Sequence, residues 1–117
     1  MNEQTQQNNQ NEIFFLGWLD PRDETILPAG VAFYNEEYGE FFLKIDEEPI
    51  EKQYFLKPNS SKNDAVEYRV ELVVKNKVGK FLKRQKVGFG QKNSSTKGNV
   101  HIHFGSKFKT LVLALNK

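Results

Sequence analysis

Alternation of apolar and polar residues is the feature that most constrains how this chain can fold. In the segment VEYRVELVVK, residues 66–75, apolar side chains occupy every second position from Val66 to Val74, and Glu67, Arg69 and Glu71 lie between them. Successive side chains of a strand point to opposite faces, so a period of two predicts a strand with one buried face.

Seven other segments are rich in aromatic and β-branched residues, and turn sequences such as DPRDE, LPAG, NEEYG, PNSSKND and NKVG separate them. We predict strands over residues 13–19, 30–34, 40–45, 53–57, 80–89, 99–104 and 109–115 in addition to the one above. Only DEEPIEK, residues 46–52, could form a short helical turn. The pattern predicts an all-β fold, a single small β-barrel (OB-like) or a β-sandwich of about seven or eight antiparallel strands.

The length of 117 residues fits one domain, which we place at residues 13–117. Residues 1–12, MNEQTQQNNQNE, contain eight Asn or Gln residues and are predicted to form a disordered polar tail without a signal sequence. The absence of cysteine excludes disulfides and thiolate zinc sites. No apolar stretch approaches the roughly 20 residues that span a bilayer. We expect a cytoplasmic protein without a membrane partner.

The charges divide sharply along the chain. Residues 1–71 hold all 15 acids and six bases, a net charge of −9, whereas residues 72–117 hold eleven bases and no acid. Such asymmetry is typical of contact with nucleic acid or another anionic surface. The alternative is that the two halves form one sheet in which the opposite charges neutralise each other across neighbouring strands.

Aromatic residues are interleaved with the bases of the second half, a combination that favours binding of single-stranded DNA or RNA with low sequence specificity. Basic side chains neutralise phosphates, and exposed rings stack on bases. Strict alternation would place Phe81, Lys83 and Phe89 on one face of their strand. The alternatives are an edge strand whose lysines prevent unwanted pairing, and core packing for Phe89. The predicted nucleic-acid-binding residues are Lys75, Lys77, Lys80, Phe81, Lys83, Arg84, Lys86, Phe89, Lys92, Lys97, His101, His103, Lys107 and Lys109.

The segment GKFLKRQKVGFG, residues 79–90, is followed after nine residues by VHIHF, residues 100–104. This arrangement resembles the front half of a cold-shock domain, an OB-type nucleic-acid-binding barrel with the motifs K-G-F-G-F and V-F-V-H-F. The resemblance implies that Phe89 is a stacking aromatic and that His103 is the histidine of the second motif. It covers 26 of the 117 residues, with Gln91 and His101 standing where the family has aromatic rings.

The two histidines, His101 and His103, lie two residues apart and are expected on one strand face. Such a pair could contribute half of a metal site, with a carboxylate such as Asp46 or Glu48 supplied by the acidic half. Polar surface residues and phosphate or base contacts are the other interpretations. No serine nucleophile motif and no phosphate-binding loop is present. We therefore expect a protein that is not an enzyme and has no cofactor, and a metal-dependent enzyme is the minor alternative.

The main alternative to nucleic-acid binding is a protein interaction or assembly module. Opposed acidic and basic faces could join copies of the chain head to tail into a homo-oligomer, or dock an acidic protein partner. A net charge of +2 suits self-association as well as nucleic-acid binding.

Overall fold

The computed structural model of the protein describes residues 12–20, 22, 24–49, 51–104 and 109–115. These residues form eight strands and one short 3-10 helix, Ser94–Thr96. The strands are β1 (Ile13–Leu19), β2 (Ile26–Asn35), β3 (Glu40–Ile45), β4 (Tyr54–Lys62), β5 (Ala65–Lys75), β6 (Phe81–Lys92), β7 (Val100–Phe104) and β8 (Thr110–Ala114). The predicted tail at residues 1–12 lies outside the described residues except for Glu12, as does Lys107.

Each strand pairs antiparallel with the next strand along the chain, and β1 also pairs with β8. The prediction of an all-β fold with seven or eight antiparallel strands is confirmed. The prediction did not decide between a barrel and a sandwich. The structure has one sheet whose first and last strands are hydrogen-bonded, which is the strand order of a closed barrel. No helix in the described part of the chain is long and apolar enough to span a bilayer.

All eight predicted strands are present, but two turn predictions are wrong. The segment LPAG lies within β2, where Ala29 is the extra residue of a bulge opposite β1. The segment PNSSKND lies mostly within β4 and the real turn is Asn63 and Asp64, both with positive φ. Bulges explain both errors, because a bulge accommodates proline within a ladder of backbone hydrogen bonds.

The interior of the ring is filled by apolar side chains from all eight strands. Leu16, Leu56, Val70, Ile102 and Leu111 are completely buried within one cluster. Burying a side chain of this size stabilises the fold by roughly 1.5–3 kcal/mol relative to leaving it exposed. Because inward positions are apolar, the residues between them along each strand form the outer surface.

Two glycines determine where β6 can place an aromatic ring. A Cβ at Gly88 would lie against the carbonyl oxygen of His103, and a Cβ at Gly90 would lie 3.1 Å from a methyl group of Val100. The interior therefore has no room for side chains at these two positions. Phe89 stands between them on the opposite, outer face of the strand and remains 44% exposed.

The β5–β6 hairpin extends beyond the rest of the ring. Pairing between β4 and β5 ends at Tyr54 and Leu72, and β6 pairs with β7 only over Gly88–Gln91. We call residues 73–85 the arm. Its tip is fixed by Asn76, whose side-chain oxygen accepts hydrogen bonds from the backbone N–H groups of Val78 at 3.0 Å and Lys80 at 2.9 Å.

Candidate nucleic-acid interface

The register of β5, β6 and β7 places six outward side chains in two rows. Arg69 lies opposite Phe89, which lies opposite His103. Two residues away along each strand, Glu67 lies opposite Gln91, which lies opposite His101. We call these residues the six-residue face: Glu67, Arg69, Phe89, Gln91, His101 and His103. The predicted stacking residue Phe89 and both predicted histidines therefore lie together on the outer surface.

Phe89 and His103 form a stacked pair, with ring centroids 5.0 Å apart and planes inclined by 28°. In a stacked pair each ring covers part of one face of the other, and Phe89 keeps 44% of its surface exposed for contact with a ligand. A groove of about 320 Å³ lies beside it and is lined by Asn59, Glu67, Tyr68, Lys86, Phe89, Gly90 and Gln91. This groove combines a ring face with a cation, a carboxylate and amide groups.

His101 is half-buried in a second groove, beside Glu24, Lys97 and Asn99. Burial is the main cause that lowers the pKa of His101, and the charge of the neighbouring His103 lowers it further. At neutral pH His101 is consequently a neutral imidazole that can donate one hydrogen bond and accept another.

The lysines of the arm and of the adjoining part of β6 are exposed. Within the described residues, no ion pair or hydrogen bond engages the ammonium groups of Lys75, Lys77, Lys80, Lys83 and Lys86. The arm also exposes apolar side chains, with Val78 80% and Phe81 61% exposed. Its surface therefore offers positive charge together with apolar contact area.

Two bulges in β6 change which side chains share a face. The register with β5 shifts between Val70 and Glu71 and again between Val74 and Lys75, so that Val87 and Leu82 are the extra residues. The prediction that Phe81, Lys83 and Phe89 share one face is wrong for this reason. Lys86, opposite Glu71, is on the outer face with Phe89, whereas Lys83, opposite Val74, is on the other side.

Arg84 is engaged by the acidic half of the chain. Its guanidinium donates to both carboxylate oxygens of Glu40, at 2.8 and 3.0 Å, and lies 3.9 Å from the ring centre of Phe55. The bonds to Glu40 are the largest influence that raises the pKa of Arg84. A carboxylate oxygen of Glu71 lies 3.5 Å from Nη1 of Arg84. The other carboxylate oxygen of Glu71 forms an ion pair with Nε of Arg69 at 2.9 Å, but the Nε–H of Arg69 does not point at it. Neutralisation across strands, the alternative interpretation of the charge split, therefore holds for Arg84.

The remaining predicted residues lie around the six-residue face and beyond it. Lys92 ends β6, and Lys97 follows the 3-10 helix, whose start is capped by the side chain of Asn93. Lys109 directly precedes β8, and its ammonium group lies 5.3 Å from the ring centre of Trp18 on β1. The thirteen predicted residues that the structure describes thus form two main groups, the arm and the six-residue face, with Lys86 between them on β6 and further lysines at the ends of strands and on connections.

Sequence reasoning missed Glu67, Gln91 and Arg69, which complete the six-residue face. Glu67 and Arg69 belong to the acidic half, and Gln91 stands where the resemblance expected an aromatic ring. The alternation in residues 66–75 already placed Glu67 and Arg69 on a solvent face. Which strand lies beside them depends on pairing, and a single sequence carries no direct signal of pairing.

The two histidines do not form part of a cluster of potential metal ligands. In residues 12–104 and 109–115, apart from the few positions left undescribed, no group of three or more His, Cys, Asp or Glu side chains could hold a metal ion. Asp46 and Glu48 line a different groove, together with Phe42 and Pro49. Glu48 accepts a hydrogen bond from the hydroxyl of Tyr54 at 2.8 Å.

Comparisons with protein-family models, with curated proteins and with solved structures found no match. The resemblance to cold-shock domains therefore stays a prediction. The structure shows an all-β domain, a closed ring of eight antiparallel strands.

Proposed function

We propose that the protein binds single-stranded nucleic acid through the arm and the six-residue face. The stacked pair of Phe89 and His103, next to Lys86 on the same outer face, is the observation that carries this proposal. Bases stack on aromatic rings with little dependence on sequence, and lysines follow the phosphate backbone. A duplex would not present its bases to these rings, because they are paired and stacked inside it.

The dimensions of β6 suit a short single strand. The twelve residues of β6 extend over roughly 35–40 Å at the usual rise of a strand. Proteins that bind single strands without sequence preference typically cover about 4–16 nucleotides per domain. The five uncompensated lysines would release condensed cations from the strand, which makes the affinity depend on salt.

Fluorescence anisotropy tests the proposal with labelled single-stranded and duplex oligonucleotides, as DNA and as RNA, at several salt concentrations. We expect single strands to bind more tightly than duplexes. If all five lysines contact phosphates, the slope of log affinity against log salt should be about −3.5. A protein that binds neither form at low salt would overturn the proposal, and the arm would then be available to an acidic protein partner.

A matched pair of variants tests the surface itself. Replacing Lys75 and Lys86 with Ala should make the salt slope less steep by about 1.4, because two phosphate contacts on the outer face are lost. Lys44→Ala is the control, since Lys44 is an exposed lysine on β3 outside the proposed surface. Equal effects of the double variant and the control would contradict the assignment. Arg84 is unsuitable for this test because it binds Glu40.

A second candidate function, self-association, is favoured by a different observation. The outer surface of β1 and β2 exposes Ile13 at 59%, Phe15 at 44% and Ile26 at 45%, and Phe15 and Ile26 both lie over the backbone of Gly17. Contiguous exposed apolar patches of this kind mark interaction sites. Light scattering should then detect a dimer that Ile13→Lys with Ile26→Lys dissociates, whereas Val78→Lys on the arm leaves it intact. A monomer at all protein concentrations would exclude this function.

A further inference from the structure

We infer that the groove beside Phe89 is a subsite for one nucleobase and that the carboxylate of Glu67 makes it prefer guanine. The inference rests on the proposed function and refines it, because it adds a base preference at one position of a strand that is otherwise bound through its backbone. It concerns Glu67, an acidic residue that a purely phosphate-binding surface would exclude.

The geometry brings a ring face and polar groups into one groove. Glu67 lies directly opposite Gln91, and Phe89 is two residues from Gln91 on the same face, so Glu67 and Phe89 are diagonal neighbours. Diagonal neighbours in an antiparallel pair are about 7–8 Å apart, a distance that side chains and a base can bridge. All three residues line the same groove of about 320 Å³.

Glu67 is oriented by a neighbour but retains capacity to accept further hydrogen bonds. The hydroxyl of Ser60 donates to Oε1 of Glu67 at 3.2 Å. A carboxylate has about four acceptor positions, so both oxygens remain able to accept from a ligand. Lys86 lines the same groove and supplies the cation that a phosphate would contact. A phosphate is repelled by Glu67, so the strand should lie with its backbone toward Lys86 and a base edge toward Glu67.

Hydrogen-bond chemistry then selects the base. An ionised carboxylate only accepts, and the Watson–Crick edge of guanine presents two adjacent donors, the N1–H and the N2 amino group. Two parallel hydrogen bonds to a carboxylate resemble the bidentate contact that arginine makes. Adenine and cytosine offer a single amino group, and uracil and thymine offer one N–H between two carbonyl oxygens, which the carboxylate repels. The side-chain amide of Gln91 can donate to O6 of guanine.

The experiment uses thymine-only single-stranded DNA probes that differ at one central position, which is guanine, adenine, cytosine or thymine. We expect the full chain to bind the guanine probe about tenfold more tightly than the all-thymine probe, within the range for a good bidentate contact to a base. Glu67→Gln should reduce this ratio to about threefold or less. The affinity for the all-thymine probe should rise in this variant, because a negative charge is removed from the surface that the strand contacts.

Glu51→Gln is the matched control, since it removes an exposed carboxylate on the connection between β3 and β4 and should leave the guanine ratio unchanged. Gln91→Ala supplies an independent variant on the partner strand and should lower the ratio as well. Glu67 is exposed, so its substitution should not change the thermal unfolding temperature.

The outcomes separate the two proposals. If none of the probes binds, the proposed function fails and the inference fails with it. If all four probes bind equally, the nucleic-acid function stands and the guanine subsite is overturned. If the guanine preference is present but persists in Glu67→Gln, the role of Glu67 is overturned.

Discussion

Arg84 on β6 binds Glu40 on β3 with two hydrogen bonds, although two strands separate them in the sheet. The guanidinium crosses the ring of Phe55 on β4 to reach the carboxylate. Glu40 is only 5% exposed, so its charge depends on this partner. Arg84, a residue of the basic half, therefore links β6 to β3 and β4 on the outer surface of the sheet.

Arg84→Ala should therefore destabilise the fold. The substitution leaves the Glu40 carboxylate buried without its main partner, and we expect the free energy of unfolding to fall by about 2 kcal/mol. Urea denaturation measures this change. Lys83→Ala, at the adjacent exposed position, should stay within about 0.5 kcal/mol of the unsubstituted protein. Similar stabilities of the two variants would contradict a structural role for Arg84.

The glycines that flank Phe89 should differ in their tolerance of a side chain. Gly88→Ala places its methyl group against the backbone oxygen of His103, which cannot move without disturbing the β6–β7 pairing. We expect a loss of about 3 kcal/mol, at the upper end for overpacking. Gly90→Ala meets only side chains, at 3.1–3.4 Å, and should cost less. Thermal denaturation of both variants checks this order, and the reverse order would be inconsistent with the packing.

Removal of the Phe89 ring should affect ligand affinity and not stability. Phe89→Ala should weaken binding of single strands by about 1–3 kcal/mol, the value of one stacked base. The free energy of unfolding should change little, because the ring lies outside the core. Phe104→Ala is the contrasting variant, since Phe104 is buried against Tyr54 and its truncation should cost about 3–5 kcal/mol of stability. A Phe89→Ala protein with unchanged affinity would contradict a stacking role.

Acid should destabilise the protein through His101. Its pKa in the folded state is lowered by burial, so below the unfolded-state value of about 6.5 the unfolded chain binds more protons than the folded chain. The contribution of His101 to stability is present above that pH and is lost as the pH falls from it through the lowered pKa of the folded state. Glu24 and Lys97 line the same groove as His101, and His103 lies two residues away on the same strand.

The measurement is urea denaturation between pH 7.5 and 5.5. His101→Gln should reduce the loss of stability across this range, because a neutral amide does not titrate. His103→Gln should reduce that loss less than His101→Gln does, because burial and not His103 is the larger cause of the lowered pKa of His101. An identical pH dependence in the unsubstituted protein and in His101→Gln would show that other groups cause it.

Much of the fold was predictable because its information is local. A period of two in residues 66–75 identifies a half-buried strand whatever its neighbours are, and the other seven strands were predicted from aromatic and β-branched residues between turn sequences. The errors occur at bulges, where one extra residue changes the pairing while the local composition stays that of a turn or a strand. Pro28 in β2 and Val87 in β6 are the clearest examples.

The residues of the candidate site were also predictable in part from the sequence. The sequence shows that the lysines of the basic half have no acidic neighbours along the chain, and it predicts that Phe89 and the two histidines lie on strands. The stacking of Phe89 on His103, the pairing of Glu67 with Gln91 beside it and the ion pair of Arg84 with Glu40 are known from the fold alone. Alternation depends on the backbone of one strand, whereas these contacts depend on which strands pair and in which register, and that is settled by packing of the whole core.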